Sequence, residues 1–293
     1  MKIKPVIVAG MSRAGTTFLY HNLQKHPNIF VPSRKEIAYF AQNYDQGLDW
    51  YHDFYKNCKR NQISLDICGI YFSQNDSIKR ILDYNSDTKI ILGIREPKEW
   101  IFSLYEQYKG SYKMPPFSEA INNGFTIKRE GKLVDFNFNN NMIMKRIKEY
   151  QKYFGKNLLI FDFSLLKDSS LSVLKAIEKF IDAPSFFNET NFTNKKINAR
   201  ERKSSALFEK ILQMKGIPEL IIKLVPRNLL LKIRHSYYAW GAPAKTQNKT
   251  ETLERYSKDE IALVNNIFEK DSKFVANLFQ KNHIIDGFNK PLS

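Results

Sequence analysis

Two patterns of hydrophobic and polar positions alternate along residues 1–184. Short continuous apolar runs, rich in β-branched residues, predict strands that are buried on both faces. Apolar residues that recur at every third or fourth position predict amphipathic helices. The predicted strands cover residues 4–9, 63–67, 88–95 and 157–163, and the predicted helices cover 16–26, 74–84, 97–108, 139–154 and 171–181. Strands that alternate with helices favour a parallel sheet with right-handed crossovers.

Residues typical of segment ends support these boundaries. Pro27 follows the first helix, Ser73 is a predicted N-cap, and Pro97 stands in the first turn of the helix that it begins. Residues 110–133 show no clear period and are predicted to be irregular. A final helix is predicted over residues 258–279.

The composition changes after Pro184, where the chain becomes polar and basic. We expect residues 1–293 to form one domain, since this length suits a single doubly wound α/β unit with one core. Its α/β core is expected over about 1–184, and a helical C-terminal part over about 185–293.

Composition and charge narrow the classes of function. Hydrophobic residues make up 43% of the chain, which excludes an intrinsically disordered protein. The 46 lysines and arginines exceed the 30 aspartates and glutamates, and the resulting net charge of +16 indicates an anionic partner. A nucleic acid, an acidic membrane surface, a nucleotide and an acidic glycan all satisfy this condition.

Cysteine and histidine use argues against a structural metal site. The two cysteines, Cys58 and Cys68, form no CxxC pair and only five histidines are present, so we expect no metal and a reducing compartment. The apolar run over residues 6–10 is too short for the core of a signal peptide. No run approaches the roughly 20 apolar residues of a membrane span. We therefore expect a cytoplasmic protein.

Residues 10–17 (GMSRAGTT) lie between the first predicted strand and the first predicted helix. Unpaired backbone N–H groups and the helix dipole make such a helix start a site for an anion. Gly15 permits close approach of the backbone to a ligand. Thr16 and Thr17 add hydroxyl donors, and Arg13 supplies a full positive charge. The segment therefore predicts a phosphate-binding loop.

This loop differs from a Walker A motif at the position of its lysine. Thr16 stands where that lysine, which contacts the β- and γ-phosphates, follows the second glycine. No convincing strand that ends in a magnesium-binding aspartate follows, and Asp162 is the nearest candidate. The loop favours an anion shorter than a triphosphate that needs no metal. A P-loop kinase, which needs both features, is the first alternative.

Residues 6–27 resemble the donor-binding segment of the sulfotransferase family, which has a basic residue at the Arg13 position, then Gly-Thr-Thr and a helix ending in His-Pro. The resemblance extends more loosely to residue 181 and implies a P-loop-like three-layer fold with a central parallel sheet flanked by helices. It also implies 3′-phosphoadenosine-5′-phosphosulfate (PAPS) as donor, adenosine 3′,5′-bisphosphate (PAP) as product, and no metal. The donor-binding residues that it implies here are Arg13, Ala14, Gly15, Thr16 and Thr17.

A second motif, REPKEWIFS, begins at Arg95, where a predicted strand ends. Ligands bind at this edge of open α/β sheets, and an arginine beside a hydroxyl suits a terminal phosphate. Ser103 lies about two turns into the next helix, on the side that can face Arg95. The motif resembles the family's second signature, which implies that both residues bind the 3′-phosphate. The alternative is that Arg95 pairs with a carboxylate and Ser103 is a buried helix serine.

The resemblance further implies two catalytic residues. In-line sulfuryl transfer needs a base for the acceptor hydroxyl and a cation for the charge that develops on the oxygens. Arg13 suits the second role. Glu36 suits the first, because its stretch KEIAYF resembles the Lys-Glu motif of carbohydrate sulfotransferases, which implies a glycan or glycolipid acceptor. His52 is the alternative base, since cytosolic small-molecule sulfotransferases use a histidine.

One stretch departs from the glycan sulfotransferase pattern. The Glu-Lys-(Ser/Thr)-Pro-x-Tyr sequence of that group corresponds here to residues 66–71 (DICGIY). Ile67 therefore stands in place of the lysine, and Gly69 in place of the proline. The chain lacks one expected transition-state cation at this position.

Two further alternatives do not depend on sulfuryl transfer. A nucleic-acid-binding protein would explain the charge, but the basic residues are spread along the chain and no recognition motif is present, so we expect no nucleic-acid partner. The mixture of apolar and basic residues over 217–234 suits a helix in a membrane surface. Such a peripheral membrane contact is compatible with an enzyme that acts on a lipid-linked acceptor.

Overall fold

Six strands form the central sheet in the part of the chain that the computed structural model describes, residues 3–129, 131–138, 141–193 and 254–287. The strands in chain order are β1 (Val6–Gly10), β2 (Ile29–Phe30), β3 (Ile63–Ile67), β4 (Ile90–Ile94), β5 (Phe125–Arg129), β6 (Lys132–Phe136), β7 (Leu158–Asp162) and β8 (Ile284–Asp286). The order across the sheet is β2-β3-β1-β4-β7-β8, and β5 and β6 form a separate hairpin.

The sheet is parallel from β2 to β7, and only its edge strand β8, among the described residues, is antiparallel. Connections that cross between parallel neighbours carry helices, which therefore cover the faces of the sheet. The predicted α/β fold, a mostly parallel sheet flanked by helices, is confirmed. Strand β8 was not predicted, because its apolar pair Ile284 and Ile285 is too short to indicate a strand without its partner β7.

The helices in chain order are α1 (Thr16–Leu23), α2 (Gly47–Asp53), α3 (Ser77–Tyr84), α4 (Pro97–Lys109), α5 (Phe117–Asn123), α6 (Met142–Phe154), α7 (Leu165–Asp168), α8 (Ser170–Phe180), α9 (Lys258–Ile267) and α10 (Glu269–Leu278). Single 3₁₀ turns cover Tyr44–Gln46, Gly69–Ser73 and Gly155–Asn157. In the described residues, no helix is both long enough and apolar enough to cross a bilayer.

Alternate side chains of the central strands enter two cores, one on each face of the sheet. Ile7 and Ile90 belong to the core that includes buried residues of α3, α4, α6, α9 and α10. Val8 and Ile91 belong to the core that includes residues of α1 and α8. This separation follows from the two-residue period of a strand, and it explains why each strand is a continuous apolar run.

Several of the predicted segments differ from the structure. Residues 110–133 are not irregular, because they contain α5 and most of the β5–β6 hairpin, whose buried Phe125, Ile127 and Val134 alternate with exposed residues. The final helix is two helices that meet at buried Phe268. The helix after Ser73 begins at Ser77 and not at residue 74, because Ser73 ends a 3₁₀ turn and residues 74–76 connect that turn to the helix. The predicted interfacial segment 217–234 lies outside the described residues.

Candidate active site

The carboxyl ends of four parallel strands place the candidate residues at one edge of the sheet. The phosphate loop follows β1, and the segment after β2 leads to Glu36. Cys68 and Gly69 follow β3, while Arg95 follows β4. This is the edge at which open α/β sheets bind ligands. The strand order, with β1 between β3 and β4, brings these segments next to one another.

The phosphate loop has the backbone shape that its glycine requires. Gly15 precedes α1 with a left-handed φ of 94°, and a Cβ built on it would lie 2.1 Å from Cδ1 of Leu166. A larger residue there would have a strained backbone, and the side chain of Leu166 would have to move. Ala14 and Thr16 are buried and Thr17 is half-buried. The first amides of a helix lack partners within the helix, so those at the start of α1 suit an anion.

Arg13 joins the phosphate loop to α4. Its Nε donates a hydrogen bond of 3.0 Å to Oγ of Ser103, a residue 90 positions away in the chain. Removal from water and, to a smaller extent, the positive charge of Arg95 lower the pKa of Arg13 from 12.5 to about 10. Two guanidinium groups that repel each other in a partly dry site indicate a place for an anion. The sequence prediction had assigned all three residues to the donor.

Arg95 lies over the ring of Phe163, with 5.0 Å between Cζ and the ring centroid. Its Nη1 donates to the carbonyl oxygen of Arg13 at 3.5 Å, and its Nη2 lies 3.8 Å from Oε2 of Glu99. Burial lowers the pKa of Arg95. Its Nε is buried and has no hydrogen-bond partner within the described residues. Buried donors are normally paired, so this N–H group is available to donate to a phosphate oxygen.

A second hydrogen bond from α4 also fixes the phosphate loop. Nε1 of Trp100 donates to the carbonyl oxygen of Ser12 at 2.9 Å. The helix that carries Trp100 is capped by Glu96, whose side chain accepts from the amide of Glu99 at 2.7 Å. Oγ of Ser272, in α10, donates to the same Glu96 side chain at 2.6 Å. The motif that begins at Arg95 thus positions the loop as well as supplying a guanidinium.

Glu36 is connected to the phosphate loop through a single residue. Its carboxylate accepts from Nζ of Lys35 at 2.5 Å and from the amide of Gly69 at 3.1 Å. The carbonyl oxygen of Gly69 accepts from the amide of Ser12 at 3.1 Å. Burial favours a raised pKa for Glu36, but the positive charges of Lys35 and Arg129 and the hydrogen bonds outweigh it, so the pKa lies below its ordinary value. The carboxyl group is therefore ionised at neutral pH.

His52 lies away from this edge of the sheet. Its Nε2 is 3.0 Å from the hydroxyl of Tyr84, and that hydroxyl donates to the carbonyl oxygen of Ile3. Ile3 precedes β1, whereas the phosphate loop follows β1, so the two lie at opposite ends of that strand. With a rise of about 3.3 Å per residue, β1 alone separates them by more than ~13 Å. The geometry favours Glu36 over His52 as the base.

Residues 4–218 match the family model of the sulfotransferase domain, which is more than half of the chain. The chain belongs to the sulfotransferase family. It is similar to the membrane-associated sulfotransferase kil1 of Dictyostelium discoideum, at 32% identity over 39% of this chain and 26% of that protein. It is also similar to heparan sulfate glucosamine 3-O-sulfotransferase 5 of Mus musculus, at 27% identity over 65% of this chain and 56% of that protein.

Solved sulfotransferase structures share the fold. That of Alicyclobacillus acidocaldarius superposes with a TM-score of 0.53 and 15% identity, over 82% of this chain and 99% of that chain. A mouse sulfotransferase complexed with PAP superposes with a TM-score of 0.50 and 13% identity, over 91% of this chain and 84% of that chain. The chain spans at most 56% of the length of the two curated relatives described above.

Two residues of the candidate site were not predicted from the sequence. Tyr108 was predicted only as an apolar residue of its helix, yet it interacts electrostatically with Arg13, Glu36 and Arg129. Arg129 lay in the segment that was predicted to be irregular. The alternation of buried and exposed residues over β5 and β6 is a signal for a hairpin that could have drawn attention to it.

Proposed function

We propose that this sulfotransferase transfers a sulfuryl group from PAPS to a hydroxyl group of a glycan or glycolipid and releases PAP. The proposal rests on the convergence of Arg13 and Arg95 at the phosphate loop, with Nε of Arg95 buried and unpaired within the described residues. The acceptor oxygen forms a bond to sulfur while the bond from sulfur to the 5′-phosphate oxygen breaks. The acceptor proton passes to a base, and PAP leaves with the electron pair of the broken bond.

In this proposal the donor lies along the phosphate loop. The amides of Gly15, Thr16 and Thr17 bind the 5′-phosphosulfate, because they surround the start of α1. Arg13 stabilises the charge that develops on the transferring oxygens. Its guanidinium is already oriented by Ser103, so little reorganisation accompanies the reaction.

The 3′-phosphate is assigned to Arg95 and Ser103. The hydroxyl of Ser103 accepts from Arg13, which leaves its own proton free to donate to a phosphate oxygen. Arg95 offers Nε to the same group. Arg95 also pairs with a carboxylate, that of Glu99, which was the alternative role for this arginine. This ion pair is long, at 3.8 Å, and it leaves Nε of Arg95 unused. A phosphate in hydrogen-bonding distance would be a stronger partner for Arg95 than this distant carboxylate.

Glu36 is the proposed general base. Its low pKa keeps it ionised, and the hydrogen bond to Gly69 holds it beside the loop on which the sulfuryl group would lie. The glycan acceptor is supported by the similarity to a protein named as a heparan sulfate sulfotransferase. We also propose that residues 1–293 form a single domain. The protein is proposed to act in the reducing cytoplasm, in keeping with Cys58 and Cys68 as free thiols.

Calorimetry with PAP tests the donor. The protein is expected to bind PAP without magnesium and to bind ATP much more weakly, because the loop lacks a Walker lysine. Tight ATP binding that depends strictly on magnesium would contradict the proposal and favour a kinase. Transfer of labelled sulfate from PAPS to glycans, glycolipids and phenols then identifies the acceptor.

Glu36→Gln tests the base, since it keeps the size of the side chain and removes its proton-accepting function. Turnover is expected to fall by about 10² to 10⁴, while PAP affinity is retained. His52→Ala is the matched comparison and is expected to keep most of the activity. An active Glu36→Gln enzyme together with an inactive His52→Ala enzyme would assign the base to His52.

A further inference from the structure

The β5–β6 hairpin directs one arginine towards the candidate active site. Side chains alternate along β5, where Phe125 and Ile127 are buried while Thr126 and Lys128 are exposed. Arg129 continues the series on the same face as Phe125 and Ile127 and is half-buried. Its side chain therefore leaves the strand on the protein side of the hairpin.

This face of the hairpin packs on α4 close to the phosphate loop. The ring of Tyr108, in α4, lies 5.7 Å from the ring of Phe125 and 4.9 Å from that of Phe136. Tyr108 lies between one and two turns beyond Ser103, the residue that binds Arg13. Packing on Tyr108 thus fixes the hairpin, and with it Arg129, beside the helix that contacts the loop.

The charge of Arg129 acts on groups from three separate segments. It stabilises the ionised forms of Glu36, Cys68 and Tyr108, which belong to the segments after β2 and β3 and to α4. A charge that influences all three groups lies near each of them. The charged and titratable groups that act on Glu36 or respond to it are Lys35, Arg129, Asp66, Cys68 and Tyr108.

Of these groups, Lys35 and Arg129 are the cations. Lys35 is adjacent to Glu36 in the chain and bonds to it directly, with a side chain that is 9% exposed. At Ile67, where glycan sulfotransferases have a lysine, the side chain is 3% exposed and packs in the core that contains α1. No positive charge comes from that strand position. The hairpin supplies one from a different part of the fold.

We propose that Arg129 is a positioning residue of this sulfotransferase, and that it forms with Lys35 a pair of cations that orients the Glu36 carboxylate beside the phosphate loop. This inference rests on the proposed function, in which Glu36 is the base. Arg129 acts through Glu36 and takes no part in bond making. It compensates for the absence of a basic residue at Ile67.

Titration of the Glu36 carboxyl group by carbon-13 NMR tests the inference without any acceptor. Glu36→Gln identifies the signal. Arg129→Gln is expected to raise the pKa of Glu36 by on the order of one pH unit, the effect of removing a nearby opposite charge. Arg129→Lys is expected to restore most of the shift. Lys128→Gln is the matched control, because Lys128 lies on the exposed face of the same strand, and it is expected to leave the titration unchanged.

PAP affinity and thermal stability are measured on the same variants. Arg129→Gln is expected to keep both, since Arg129 is not part of the donor site. Should Arg129→Gln not fold, Arg129→Met, which keeps the apolar stem, replaces it. A folded Arg129 variant with an unshifted Glu36 titration would overturn the inference, as would an equal shift in Lys128→Gln. Failure of the wild-type protein to bind PAP would instead count against the proposed function, and the titration would still decide the role of Arg129.

Discussion

Asp66, a buried carboxyl group that interacts with the charge of Glu36, provides the most direct test of the electrostatics of the candidate site. It lies in β3 with 0% exposure, and its Oδ2 accepts hydrogen bonds from the hydroxyls of Tyr51 at 2.9 Å and Tyr71 at 2.8 Å. Its Oδ1 is buried without a partner among the described residues. Burial raises the pKa of Asp66 from 3.8 to about 7; the two hydroxyls offset part of this shift, and the charge of Glu36 adds to it.

A raised pKa means that the folded protein holds the proton of Asp66 more tightly than the unfolded chain does. The resulting stabilisation is fully present below the unfolded value near 3.8 and is lost as the pH rises to about 7. At about 1.4 kcal/mol per pH unit, a window of roughly three units corresponds to about 4 kcal/mol. Asp66→Asn removes the titration while an amide oxygen remains to accept from both tyrosines.

Urea unfolding, followed by tryptophan fluorescence between pH 5 and pH 8, measures this difference. The free energy of unfolding of the wild type is expected to fall by about 3 kcal/mol relative to Asp66→Asn over this range. Asp53→Asn, which alters a carboxylate that is 68% exposed, is expected to follow the wild type. Parallel curves for the wild type and Asp66→Asn would refute the reasoning, because they would show that Asp66 titrates alike in the folded and unfolded states.

Three further predictions concern the phosphate loop. Arg95→Ala is expected to weaken PAP binding by about 1.5 to 3 kcal/mol in calorimetry and to leave adenosine 5′-phosphosulfate binding nearly unchanged, whereas equal losses would contradict its 3′-phosphate role. Gly69→Ala places a Cβ 2.9 Å from the backbone nitrogen of Ser12, so PAP affinity is expected to fall and the free energy of unfolding to decrease by about 1 to 3 kcal/mol. Normal PAP binding by this variant would show that the loop adapts to the methyl group. Trp100→Phe removes the hydrogen bond to Ser12 and is expected to cost about 1 kcal/mol in urea unfolding, so unchanged stability would contradict its role in holding the loop.

Local patterns in the sequence determined the four central strands β1, β3, β4 and β7, most helices and the phosphate loop. A continuous apolar run predicts a buried strand wherever it occurs, and a glycine turn before a helix start predicts an anion site from the backbone alone. Strand β3 was predicted with its observed bounds, Ile63–Ile67. Arg95 could be placed at the ligand-binding edge because it directly follows a predicted strand. Each of these features depends on residues that are close in the chain.

The tertiary structure decided which of these residues meet. Arg13 and Ser103 are 90 positions apart, and Glu36 is connected to the loop through Gly69. These contacts follow from the order β2-β3-β1-β4, which brings the segments after four strands together. His52 contacts Tyr84 at the opposite end of β1 from the loop, although its residue type suited a base. Burial patterns and backbone preferences are local properties, whereas the neighbours of a side chain depend on strand order and helix packing, which no short stretch of sequence specifies.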